Sequence, residues 1–266
     1  MKAKVNRLLN TISILSFIII SEIIVRVFFG SNNIFIPPPS VVFESIIINF
    51  SQHFSNVLST ISIILAGLIP AILIGWILAI VIYEYSKIGN FLKPIIDSTQ
   101  LIPKTALIPI FLVFSFLGYT WKSKVLIIFL ISFYPVFIDT LLGLRHINEY
   151  YLLYFKSINA SRIDSLRYLK IPFSKHHLIN GIKTSILYSV VGAVTGEMLI
   201  GMEGVGYSIA YSAEKLNFVM AYSGIIMCIL IGVALLCIFK FILSTIHFIH
   251  NNQKSHERKK ILKCII

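Results

Sequence analysis

The chain has 266 residues, 57% of them hydrophobic and only 13% charged, with a mean hydropathy of +0.87. A soluble domain carries about 45–50% apolar and about 25% charged residues. That class is excluded, because the apolar residues recur in blocks of about 20, the length that crosses a hydrocarbon layer. The net charge of +12 raises nucleic acid as a partner, but the basic residues lie in hydrophilic gaps between apolar blocks, without aromatic interleaving, which points to topology control and no nucleic acid.

The order of elements predicts an all-α membrane protein with about six transmembrane helices. Lys2, Lys4 and Arg7 precede a first span over about 8–29, which resembles a signal anchor more than a cleaved signal peptide. Glu22 and Arg26 stand four apart in it and can pair on one helix face. Pro37, Pro38 and Pro39 then forbid a helix interior, and Ser40 with Glu44 marks the start of a short amphipathic helix. A second span covers about 58–83, with Gly67 and Gly75 allowing close helix contact. The third, about 95–118, is interrupted by Pro103 and Pro109, and the fourth runs over about 125–144. A polar, basic segment over 145–183 follows, too charged to span. A fifth span over 184–200, a Gly-rich loop GMEGVGYSIAYSAEKLN and a sixth span over 218–247 lead to a basic tail. The layout is therefore an N-terminal span with its Pro-rich linker (1–57), a five-span core (58–250) and the tail (251–266).

With the N-terminus inside, seventeen Lys and Arg fall on the inner side, against Lys122, Lys124 and Lys215 outside. The positive-inside rule selects this topology, with both termini cytoplasmic in the cell membrane. Three cysteines in unrelated places suggest neither a disulfide framework nor a metal site.

The 145–183 segment carries the most local information. A helix is expected from Glu149 to Lys156, ended by Asn159 in a left-handed conformation. Ser161 can cap a second helix with Asp164 three residues on, and Pro172 is expected to end it. Helix–turn–helix suits the docking of a partner, although the spacing alone also fits a solvated basic loop.

FKSINASRIDSLRYLKIP resembles the "EAA" loop of ABC-importer permeases, through Asn159, Ala160, Ser161 and Pro172. Asn159 stands where that family usually has Gly, and Phe155 where it has Ala. Gly181 with Lys183, Glu197, Gly204-Val205-Gly206, the Pro103–Ala106–Pro109 segment and IPPPS extend the likeness from about 36 to 236. The branch resembled transports nitrate, sulfonates, taurine and pyrimidine precursors. The resemblance implies the type I ABC-importer permease fold and a dimer with a second permease copy. It further implies a separate ABC ATP-binding subunit docked on Phe155, Asn159, Ala160, Ser161, Arg162 and Pro172, and an extracytoplasmic substrate-binding protein. The chain lacks a G-x-x-x-x-G-K-[ST] loop, so no cofactor is expected on it and ATP belongs to the partner subunit; it is read as a transport subunit, not an enzyme.

Ionisable residues within spans are candidate pathway or gate groups by default. Glu197 fits a pathway or gating role, or a hydrogen bond to a neighbouring span. Lys104, between two prolines, fits a cation facing an anionic substrate, or a lysine snorkelling to the inner surface. Asp139 can partner a cation. Gly204 and Gly206 belong to an external gate or binding-protein contact, or to a flexible turn. A self-contained secondary transporter or channel is the alternative function; it predicts an inverted repeat, which the sequence does not display. A membrane enzyme would need a catalytic constellation within the spans, and Asp97 and Asp139 lie in unrelated contexts.

Overall fold

A computed structural model describes residues 2–29, 35–108, 110 and 121–265. The described elements are helical: α1 (Lys2–Ile24), α2 (Pro39–Ile48), α3 (Phe50–Glu84), α4 (Ser86–Ser98), a 3-10 turn (Lys104–Leu107), α5 (Trp121–Arg145), α6 (Glu149–Ser157), α7 (Arg162–Ser165), α8 (Ile171–Ile200), α9 (Val205–Glu214) and α10 (Phe218–Ile265). Among them Phe50–Glu84, Trp121–Arg145, Arg162–Ile200 and Phe218–Thr245 are long and apolar enough to cross a membrane. The expected first span is helical too, α1 running through a wide π turn to Phe29. The far part of the expected third span, 111–120 with Pro109, lies outside the described residues.

α5 forms the centre, with α3 on one side and α8 on the other. The shape of these contacts explains the glycines. A Cβ on Gly67 would stand 2.7 Å from Ile128 Cβ and 2.9 Å from the Val125 carbonyl, so only hydrogen fits where α3 crosses α5. Lipid offers no hydrophobic advantage to burying a leucine between helices, and close backbone approach supplies the contact instead. Around this crossing Ile63, Ile64, Leu68, Ile128, Ile186, Ala193, Val205, Met227 and Ile231 form a core drawn from α3, α5, α8, α9 and α10. Gly67→Leu is expected to part α3 from α5 and cost about 1–3 kcal/mol as an overpacked contact. A thermal unfolding midpoint in detergent equal to wild type would contradict it.

Glu22 and Arg26 do pair, and the pair does more than neutralise itself. Ser40 N–H and Oγ donate to the Glu22 carboxylate at 3.0 and 2.8 Å, and Arg26 reaches Ser40 Oγ at 3.1 Å. The carboxylate thus satisfies an open N–H in the first turn of α2 and fastens α1 to it.

Pro172 does not end the helix it was expected to end. α7 passes through a π turn, Leu166–Lys170, directly into α8, and Pro172 occupies the first turn of α8. A proline ring collides with the carbonyl four residues back and withdraws a hydrogen bond. A π turn at that place widens the ladder and absorbs the mismatch. The polar stretch 171–183 is consequently the first part of a long helix, and the helix of the fifth span begins about a dozen residues earlier than its apolar run.

Candidate functional site

Three groups of residues stand out, one at each end of the bundle and one at its middle. The first is the turn between α6 and α7. Asn148 Oδ1 accepts from Tyr150 N at 3.0 Å and starts α6. Asn159 has φ 53°, and Asn159 N–H bonds Lys156 O while Ala160 N–H bonds Phe155 O, closing the helix in a Schellman motif. Asn tolerates this backbone better than most non-glycine residues, which explains how it replaces Gly here. Ser161 Oγ accepts from Asp164 N at 3.1 Å, as expected of a capping residue.

Beneath the turn, Leu144, Ile147 and Leu169 form a small core against which Phe155 packs, so Phe155 faces the bundle. Asn159, Ser161, Arg162 and Pro172 are exposed, and Ala160 is half-buried. The outward face is apolar: Tyr150 is 79% and Ile163 75% exposed, with Leu153, Tyr154 and Ile158 between them. Two contacts tie this segment to the end of α3. Lys170 Nζ meets Glu84 Oε1 at 2.6 Å with both side chains largely buried, and sits over the Tyr83 ring; Arg162 lies over Tyr85.

The second group closes the opposite end. Glu197, wholly buried near the end of α8, accepts from Thr60 Oγ1 of α3 at 2.8 Å and from Gly206 N at 2.7 Å. Thr60 Oγ1 also accepts from Val205 N at 2.9 Å. Three segments, α3, α8 and the start of α9, therefore meet on one carboxylate. Gly204 has φ 101° and ψ 171°, and any Cβ there would overlap the Glu197 carboxylate. The Gly-rich loop is held by this knot, and Gly206 is part of it.

The third group lies between. α4 folds back along α3, where Ile96 joins Ala79, Ile82, Phe137 and Leu141. One turn carries a Lys93–Asp97 ion pair, and Tyr134 Oη, at the middle of α5, donates to Asp97 Oδ1 at 3.3 Å. Lys104 Nζ donates to Gln100 Oε1 at 2.8 Å. Ile108 already packs with Ile127 and Ile200 near the far end. Lys104 lies on the stretch between Asp97, which meets the middle of α5, and Ile108. Asp139 is half-buried on α5 beside the Gly181 crossing and within electrostatic reach of His177 of α8. The structure brings Glu197, Gly204 and Gly206 together and leaves Lys104 and Asp139 apart from them.

Thr60, Tyr134 and the Glu84–Lys170 pair join these sites only through the fold. A threonine in an apolar run carries no signal of its own, and Glu84 and Lys170 are 86 positions apart.

A family model described as the binding-protein-dependent transport system inner membrane component matches residues 71–247. The chain belongs to that family. Relatives agree in kind. The permease is 29% identical over 207 residues to the formylaminopyrimidine transport permease protein ThiX of Halalkalibacterium halodurans, covering 78% of the chain and 82% of that protein. It is 24% identical to the taurine transport system permease protein TauC of Escherichia coli, over 79% and 75% of the two chains. The nitrate import permease protein NrtB of Leptolyngbya laminosa shares 26% identity, over 73% and 68%. The protein is a multi-pass ABC-importer permease subunit of the transport branch that the sequence resembled, and it has the helical type I permease fold.

Proposed function

We propose that two copies of this permease form the translocation path of an ATP-driven importer for a small polar solute of the size and kind of taurine, nitrate or formylaminopyrimidine. The exposed apolar face of α6 and Ile163 is the docking surface for a separate ATP-binding subunit, which holds the ATP; the permease itself carries no cofactor. A short helix presented on a rigid turn and set into a groove is an established mode of recognition. Asn159, Ala160, Ser161 and Arg162 shape that turn, Phe155 anchors it from beneath, and Pro172 starts the helix that leaves it. The end bearing this face is cytoplasmic, as are both termini, in keeping with the distribution of Lys and Arg.

The end bearing Glu197, Gly204 and Gly206 then meets the external binding protein. A polar depression of about 300 Å³ lined by Asn49, Gln52, Tyr211, Lys215 and Asn217 opens beside it. Lys104 and Asp139 belong to the path, and the Glu197 knot holds its outer gate.

The observation that carries the docking proposal is the run of outward apolar side chains at Tyr150, Leu153, Tyr154, Ile158 and Ile163 in a segment otherwise rich in charge. Ile163→Asp, fully outside the core, is expected to release the ATP-binding subunit from the tagged permease in mild detergent, at least about a tenfold loss for one buried apolar anchor. Recovery of the same ATPase with wild type and variant would move the docking surface elsewhere. Recovery with neither, from folded protein, would remove ATP coupling altogether.

A further inference from the structure

Ionisable side chains at membrane depth are retained where they face protein or water, because lipid offers them no partner. The Lys93 and Asp97 side chains are 29% and 35% exposed although Asp97 reaches the middle of α5. Ser98, Thr99 and Thr105 are exposed on the same stretch, and Gln100 and Lys104 are half-buried. Ile95, Leu101 and Ile102 are exposed on the same stretch, so it is the polar side chains, and not the stretch as a whole, that hydrocarbon cannot serve at this level. On α3 the residues at comparable level that look outward, Leu73 and Ile77, are apolar.

Charges on this face do not balance. Lys93 and Asp97 neutralise each other, and Tyr134 stabilises the carboxylate. Among the described residues, the hydrogen-bond partner of Lys104 is the neutral amide of Gln100. One positive charge is left over, and a neighbouring amide oxygen can be exchanged for a solute's oxygen at little cost.

We propose that the α4–α5 face bearing Lys93, Asp97, Gln100, Lys104 and Tyr134 is a solute-binding station lined by water. Lys104 selects for solutes with an anionic or strongly accepting edge. The station rests on the reading of the chain as the path-forming subunit. A solute arriving from outside trades its hydration for Lys104 and Gln100, while Asp97 and Tyr134 receive any donor it carries. Organic cations are disfavoured by the surplus charge.

Thiol labelling tests this without knowledge of the natural solute. The full-length chain with Cys228, Cys237 and Cys264 replaced by alanine receives Gln100→Cys or, as a lipid-side reference, Leu73→Cys, and broken membranes are treated with impermeant methanethiosulfonates. Thiolate forms readily in water and poorly in apolar surroundings, so Gln100→Cys is expected to react at least about tenfold faster than Leu73→Cys. An anionic sulfonatoethyl reagent should be favoured over a cationic trimethylammonium one, and Lys104→Met should lower that ratio at least about threefold, since unit charges a few ångströms apart interact strongly at low dielectric. Thr99→Cys serves as a second reporter if Gln100→Cys does not elute as folded protein. Labelling as slow as at Leu73 would show the face covered, by lipid or by a second copy, and overturn the station. A ratio unchanged by Lys104→Met would overturn the charge selection. Failure of the chain to bind any ATPase would remove the importer reading with labelling intact, so the two failures are distinct.

Discussion

Gly204→Ala should lower the stability of the permease by about 3–5 kcal/mol, more than most single methyl groups can. Two effects act together. At φ 101° and ψ 171° the backbone lies in a region that is essentially glycine's alone, and other residues pay about 1–3 kcal/mol to enter it. The added Cβ also lands on the Glu197 carboxylate. To make room, that carboxylate must leave Thr60 Oγ1 or Gly206 N–H, and a buried polar group left without its hydrogen bond costs about 1–3 kcal/mol. Glu197→Gln is the milder companion. It keeps the shape and one accepting oxygen, and should cost about 1–2 kcal/mol through the weakened bonds. Thermal unfolding of the detergent-purified protein should rank wild type, Glu197→Gln and Gly204→Ala in falling order. A Gly204→Ala protein that melts with wild type would show that the loop is not held in this geometry.

Reversal of the Glu84–Lys170 pair should be tolerated although each single reversal is not. The side chains are only 8% and 13% exposed, so Lys170→Glu leaves two carboxylates facing each other away from bulk water, and Glu84→Lys leaves two ammonium groups. Loss of one partner in a desolvated pair costs about 3–5 kcal/mol. The double exchange restores opposite charges at the same place, and most of the loss should be recovered, the cation over the Tyr83 ring excepted. The double-mutant cycle on unfolding midpoints, together with solute uptake by the assembled importer, provides the readout. Additive losses in the double variant would show that the two groups do not act on each other.

How far the sequence could be read depended on whether the information was local. Asn159 and Ser161 act on backbone groups within five residues, and their conformations were legible from residue type and spacing. The apolar blocks made the helical membrane class legible, because membrane thickness imposes one length on every span. Pro172 departs from its expected place, at the end of a helix, for the opposite reason. The rule that proline ends a helix holds for the regular ladder, and a π turn just before it changes the ladder. α8 starts before its apolar run: Ser174, Lys175, His176 and His177 look like loop in the sequence, whereas Ser174 is buried and His177 lies against Gly143 with its ring tilted on that of His146. Glu197 was recognisable as an unusual residue, but its partners were not. Thr60 stands 137 positions away, and only the packing of α3 beside α8 decides that its hydroxyl, and not the one at Ser59 or Ser62, turns inward.

α3 joins the two ends of the molecule in a single piece. Thr60 is tied into the Glu197 knot and Glu84 into the contact with Lys170; at 1.5 Å per residue the 24 steps between them measure about 36 Å. A rod pinned at both tips does not let a push at one tip dissipate in the loops along the way. If the α6–α7 turn is displaced together with Lys170, a rigid α3 is expected to carry that displacement towards Thr60, whose hydroxyl holds Glu197 and Val205. The shaft has one soft point, Pro70, where the helical ladder lacks a donor. What is delivered at the far tip depends on how far the shaft flexes there.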